Sequence, residues 1–234
     1  MTEAELYMPY KGVYLPSVIH SPESLKYYEE FTFRPDDIVT VTYPKSGTTW
    51  MKEIIPLITS GGDPKSVETL HNWDRVPFLE EVRAPILNLE ERPSPRMFST
   101  HFHYSMMPPS FFEVKPKSWL NADDKQSIMY ISYEEMIMDL KDSVTRITQF
   151  LEKSLDAEVI EKIADRCLFE NMKQNNMSNY SVVPREIMDQ TKSEFFRKGI
   201  AGDWKNLLTA SEAEYFDSVY KDKMKDVTYK FAWD

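Results

Sequence analysis

Residues 36–50, DDIVTVTYPKSGTTW, constrain the fold more than any other stretch of the chain. The β-branched run from Ile38 to Tyr43 stops at Pro44 and reads as a buried strand. From Thr48 onward TTWMKEIIPLI reads as a helix that Pro56 kinks or ends early. Only Lys45, Ser46 and Gly47 join strand to helix, so the amides and positive end of the helix face whatever sits in the loop. Gly47 lets the backbone approach closely, Thr48 and Thr49 add hydroxyls, and Lys45 adds a full charge, a set suited to a phosphate. The loop is not a Walker A motif, because GxxxxGK[ST] is absent and Lys45 precedes the glycine. A bare KSG is more often an ordinary turn; the full octet YPKSGTTW in this setting favours an anion site.

Further strand candidates are Arg96–His101 and Ser127–Tyr133, each bounded by Pro-rich or charged segments and each ending in polar side chains. Ile137, Leu140, Val144, Ile147 and Leu151 recur at helical spacing, and Val159, Ile160, Ile163 and Ala164 do so behind Asp156 as N-cap. Prolines cluster in 92–116 as turns, and no repeat or linker divides the chain. The expectation is a single α/β domain over 1–234, with a mainly parallel central sheet flanked by helices. Ligands then bind at the carboxyl ends of the strands.

Composition narrows the function. Lys and Arg total 28 against 38 Asp and Glu, a net charge of −10, which argues against a phosphate-tracking surface for nucleic acid. An anionic ligand then needs a local basic pocket. Cys167 is the single cysteine, so no intrachain disulfide forms, and a reducing, cytoplasmic setting is expected. The N-terminus lacks a signal-peptide core and no run reaches the length of a membrane span, so no membrane partner is expected.

YPKSGTTW behind DDIVTVT resembles the 5′-phosphosulfate loop of the cytosolic sulfotransferases, and RKGIAGDWK at 197–205 resembles their 3′-phosphate loop. Between them PSPRMFSTHF is similar to the family's catalytic-histidine strand, and SYEEM and ENMKQNNMSNYSVVP to further family segments. YKGVYLP, with Ser99 where other branches carry lysine, is most similar to the hydroxysteroid and alcohol branch. The resemblance implies a P-loop-nucleotide-binding-like sulfotransferase fold and 3′-phosphoadenylyl sulfate as co-substrate, with no metal. It implies that Lys45, Ser46, Gly47, Thr48, Thr49 and Trp50 hold the 5′-phosphosulfate, with the Trp50 ring also against adenine. Tyr133 and Phe169 then seat the adenine, and Arg197, Lys198 and Gly199 grip the 3′-phosphate. Cys167 stands where the family usually has Ser or Thr, a weaker donor at an adenine contact.

Sulfuryl transfer needs a base for the acceptor hydroxyl and a charge on the departing phosphate. His101 fits the first role and Lys45 the second. His103 would share a face with His101 if the strand continued, and only the resemblance selects His101; His20 and His71 read as structural. Arg197 and Lys198 alone would read as a solvated pair, but Gly199, Gly202 and Trp204 around them favour a shaped loop. The expected acceptor is a small hydroxyl compound such as a steroid, alcohol or phenol.

Between Lys117 and Ser118 the family carries on the order of fifty more residues, including a central strand and two further 3′-phosphate ligands. A second expectation is therefore an impaired, shortened relative that binds nucleotide weakly or pairs with a full-length partner. Lys205, Thr209 and Glu214 match the family's dimer segment except that Ala210 replaces its valine, so a homodimer is a further expectation. The alternative there is a capping box from Thr209 to Glu212. A P-loop kinase ranks last, lacking both a Walker lysine and a metal-binding acidic strand end.

Overall fold

The computed structural model describes residues 6–118 and 128–227. The chain opens with a hairpin, β1 (Tyr7–Tyr10) antiparallel to β2 (Val13–Pro16), whose two-residue turn places both Lys11 and Gly12 at positive φ. Helix α1 (Pro22–Glu30) starts at a capping box between Ser21 and Ser24. Strand β3 (Ile38–Val41) follows, then α2 (Thr48–Thr59) and the short helices α3 (Lys65–Thr69) and α4 (Asn72–Arg75). Next come β4 (Met97–Thr100), α5 (Pro109–Val114) and β5 (Lys117–Ser118). The second half is helical: α6 (Tyr133–Met138), α7 (Leu140–Phe150), α8 (Ala157–Arg166), α9 (Phe169–Gln174) and α10 (Ala210–Met224).

Among the described residues β3 lies between β4 and β5, parallel to both, with Val41 opposite Thr100 and Ile38 opposite Lys117. Pleating divides each strand between two cores. Val39, Val41 and Phe98 point into a layer with Tyr28, Phe31, Phe33 and Phe111 beneath α1. Ile38 and Met97 point the other way, onto α2, α7 and α8, where Ile54, Ile58, Val144, Ile147 and Ile163 are buried. Arg96 locks the start of this register. Its Nε and Nη2 donate to the two Asp37 carboxylate oxygens at 2.8 and 2.6 Å, both side chains being buried. Removing either partner of such a pair costs about 3–5 kcal/mol.

Several sequence expectations are met. The strands at 38 and 97 are there, and Asp156 caps α8 by accepting from the Val159 amide at 2.9 Å. Three differ. Pro56 does not end α2, which runs three residues past it, because Ile54, Ile55, Leu57 and Ile58 bury the helix on both sides of the proline. The expected strand 127–133 is not formed. Ile128 makes one isolated bridge, while a capping box between Ser132 and Glu135 starts α6 at Tyr133. Ser127 lies outside the described residues, as do the first five and all of SWLNADDK after Ser118. Met129 and Ile131 still pack onto the second core, so their apolar pattern reflects burial without a ladder. The periodic run through Leu140 is two helices, since Asp139 ends α6 and caps α7 through the Asp142 amide at 2.9 Å.

Candidate active site

The turn from β3 into α2 supplies the first part of the site. Gly47 is the N-cap at φ 108°, a left-handed conformation that suits glycine, and a Cβ there would lie 3.3 Å from the Tyr133 ring. Lys45 also sits at positive φ. Its ammonium donates to the Phe195 carbonyl at 3.0 Å and stands 4.1 Å from the centre of the Phe195 ring. Burial, and then the Arg197 charge, push the Lys45 pKa down. Ser46 turns its hydroxyl back onto the Tyr43 carbonyl, while buried Thr48 meets the Thr42 hydroxyl at 2.6 Å. Half-buried Thr49 begins the same helical turn.

Aromatic rings flank this turn. Trp50 donates its indole N–H to the Cys167 carbonyl at 2.8 Å and packs against Tyr133 with ring centres 5.5 Å apart. The Cys167 thiol is wholly buried in the second core and its pKa is raised by that burial, so this residue holds Trp50 with its carbonyl instead of facing an open site. Phe169 opens α9 and packs on Phe196 at 5.7 Å. Gly199, at φ 65°, lies so close under Phe169 that a Cβ would fall 2.4 Å from its ring. Arg197 and Lys198 both pair with Asp203, Lys198 at 2.6 Å, and Asn206 adds a third donor at 3.1 Å. Hydrogen bonds from Lys198 first, and then Arg197, hold the Asp203 carboxyl far below the usual carboxylate range. The two expected phosphate-binding regions therefore meet, joined by the Lys45–Phe195 contact.

His101 stands just past β4, across from the end of β3. Its Nδ1 lies 2.8 Å from the Thr42 carbonyl, which can only accept, so Nδ1 carries the hydrogen and the neutral ring presents a lone pair at Nε2. The His101 backbone N–H donates to buried Glu80 at 2.8 Å. Burial lowers the His101 pKa, opposed by the Thr42 hydrogen bond and aided by the Lys52 charge. His103 is different: the strand has ended at Thr100, and its Nδ1 meets the Ser105 hydroxyl at 3.1 Å. His20 bonds the Pro16 carbonyl and His71 stacks on Trp73, both in packing positions. Among the described residues no group of His, Cys, Asp or Glu could hold a metal ion, and no helix is long and apolar enough to cross a membrane.

The sulfotransferase domain family matches residues 35–118 and 114–228 of the chain. The chain belongs to the sulfotransferase family. Sulfotransferase 2B1 of Mus musculus is 34% identical to this sulfotransferase over 282 aligned positions, covering 97% of this chain and 83% of the relative. A 3-beta-hydroxysteroid sulfotransferase of Cavia porcellus is 32% identical over 280 positions, covering 96% and 97%. The solved structure of retinol dehydratase in complex with androsterone and the inactive cofactor PAP superimposes with a TM-score of 0.74 at 18% identity. That match covers 97% of this chain and 91% of that one, a likeness of fold. Hydroxysteroid and alcohol sulfotransferases are thus the relatives, as the sequence motifs implied.

The residues that sequence reading overlooked are those that hold the others in place: Thr42, Glu80, Phe195 and Asp203, together with Lys52. A signal existed for two of them. Lys52 falls four residues after buried Thr48 and three before Ile55, on the core-facing side of α2. Asp203 is an acid set within an otherwise basic loop.

Proposed function

We propose that this sulfotransferase moves a sulfuryl group from 3′-phosphoadenylyl sulfate to the hydroxyl of a small acceptor, with His101 as general base. The observation that carries the reading is a junction. Thr42 ties His101 to the head of the 43–50 loop, and Lys45 ties the same loop to Phe195 beside Arg197.

The residues present fit the co-substrate. The α2 N-terminus, Ser46 through Thr49 and Lys45 offer amides, hydroxyls and a cation to a 5′-phosphosulfate. Trp50, Tyr133 and Phe169 supply ring faces for adenine, and Arg197, Lys198 and the Gly199 backbone face a 3′-phosphate. The co-substrate supplies the activated sulfur and a phosphate leaving group. His101 Nε2 takes the acceptor proton as the acceptor oxygen bonds to sulfur and the sulfur–oxygen bond to phosphate breaks. Lys45 opposes the charge gathering on the departing oxygen. The acceptor class is a steroid, alcohol or phenol, supported by the kind of relatives found. A cytoplasmic setting belongs to the same reading, supported by the single, buried Cys167.

A second reading, an impaired shortened relative, is favoured by specific observations. The chain has 234 residues, yet Sulfotransferase 2B1 and the 3-beta-hydroxysteroid sulfotransferase align with it over 282 and 280 positions, and the two family matches overlap at 114–118. Among the described residues β3 pairs with β5 over two positions, and no side chain of α10 is buried. Lys205, Thr209 and Glu214 would lie in a homodimer contact; Thr209 and Glu212 form the capping box of α10.

Thermal unfolding of the chain with and without saturating 3′-phosphoadenosine 5′-phosphate separates these readings, because a ligand of the native state raises the midpoint. A raised midpoint with turnover on phenol or steroid acceptors supports the enzyme, and a raised midpoint without turnover supports the impaired relative. No shift sinks the nucleotide site. In an active chain, His101→Ala should abolish transfer while leaving the midpoint shift intact; retained turnover removes His101 as the base.

A further inference from the structure

Lys52 is a lysine in an unusual place. It lies on the face of α2 that packs against the sheet, is 0% exposed, and its ammonium has no hydrogen-bond partner. Burying an ammonium without a hydrogen-bond partner is costly. The nitrogen rests 3.5 Å from the centre of the Phe78 ring, in cation–π contact. Phe78 also packs against the His101 ring, with centres 4.6 Å apart. Together these distances limit the ammonium–imidazole separation to about 8 Å, with the Phe78 ring in contact with both groups, a range over which like charges repel appreciably.

We propose that Lys52 is a positioning residue for His101: its buried, unpaired ammonium, held behind Phe78, keeps the imidazole unprotonated and its Nε2 available to the acceptor. The inference rests on the reading of His101 as base. Glu80 and Glu81, from the segment after Phe78, attract the Lys52 charge, and Arg75 of α4 repels it. His101 faces Lys52, more weakly His20, and the Glu80 carboxylate that accepts its backbone N–H. Burial brings Lys52 down to about 7, and burial likewise holds His101 below the ordinary histidine value. The Glu80 carboxyl, raised to about 7 by burial, titrates in the same range, and it is the charged form of Lys52 that opposes a proton on His101. Glu80 holds the His101 backbone, the Thr42 carbonyl orients the imidazole, and Lys52 sets its protonation state.

The test is a histidine NMR titration of the full chain, with the His101 signal assigned by its loss in His101→Ala. In Lys52→Met the His101 midpoint should rise by about one pH unit, and in Lys52→Arg, which keeps the charge, it should stay at the wild-type value. The acid limb of kcat/KM should move upward with it in Lys52→Met alone. An unchanged His101 midpoint in folded Lys52→Met overturns the inference. Should that variant fail to fold, the Lys52 side chain is titrated in the wild-type protein through its 13Cε resonance. A Lys52 midpoint below that of His101 would equally overturn it, and one above supports it. Turnover that survives His101→Ala would instead remove the base assignment while the NMR displacement stood, so the two failures are distinguishable.

Discussion

The two ends of the candidate nucleotide seat are built in different ways. At the 5′ end the ligand groups belong to regular elements: a strand terminus, a left-handed glycine cap, and the first turn of a twelve-residue helix packed into the core. At the 3′ end they belong to a loop that Asp203 holds through Arg197, Lys198 and Asn206, with Phe169 lying on Gly199. The first end is positioned by backbone sterics and burial. The second is positioned by exposed charges and one ring contact, interactions that solvent and salt weaken. The difference teaches that the 5′ end should fail by unfolding and the 3′ end by loss of affinity.

The largest effect should therefore come from Gly47→Val. A β-branched residue at φ 108° is strained whatever the space around it, and its Cβ would press on Tyr133 at 3.3 Å. We expect a loss of about 3 kcal/mol, read from the urea midpoint, with no remaining response to nucleotide. Wild-type stability in this variant would show that the cap is not what fixes the 5′ end. Gly199→Ala should act mainly on binding. Its added methyl would displace the Phe169 ring, and the nucleotide-induced rise in midpoint should largely vanish for a stability cost of about 1–2 kcal/mol. Cooperative unfolding of the whole chain by this substitution would break the proposed contrast.

The same contrast explains what the sequence disclosed. The 43–50 turn was legible because strand, glycine and helix start are encoded within fifteen consecutive residues, and RKGIAGDWK was legible as a motif. The hairpin at Tyr7–Pro16 was not, since it depends on Lys11 adopting positive φ beside Gly12, which a lysine rarely does. The run at 128–132 was apolar enough for a strand, but pairing is decided by distant neighbours and not by the run itself. Lys52 was legible only in part: its spacing from Thr48 and Ile55 marks the core-facing side of α2, but only the packed sheet and Phe78 show its ammonium buried there. Residues proposed to touch the ligand are carried by local motifs, whereas those that hold them in place are defined by tertiary contacts.

Arg197→Ala comes next in size. A charge-assisted bond to phosphate contributes about 1.5–3 kcal/mol, so affinity for 3′-phosphoadenosine 5′-phosphate should fall about 10- to 100-fold. Adenosine 5′-phosphate, lacking the 3′ group, should lose less than about twofold by the same calorimetric titration. Equal losses for both nucleotides would move Arg197 away from the 3′-phosphate.

The smallest and most discriminating change is Asp203→Asn, which keeps the shape of the side chain and removes its charge. The carboxylate is nearly enclosed, at 4% exposure, and three donors converge on it while Arg197 and Lys198 remain about half exposed. Arginine has five N–H donors in a planar fork, so one edge can hold Asp203 while the other meets a phosphate. Asp203 is then an organiser, and its loss returns rotamer freedom that binding must remove again, lowering affinity about two- to threefold. Because its folded pKa is depressed, the pairing is fully present above the unfolded carboxylate value and is lost only as pH falls through the lower folded one. Asp203 should thus contribute no pH dependence to nucleotide binding between about pH 5 and 8. A rise in affinity in Asp203→Asn would mean the reverse: the carboxylate competes with the 3′-phosphate for the same two cations, and the 3′ end is self-occupied until nucleotide displaces it.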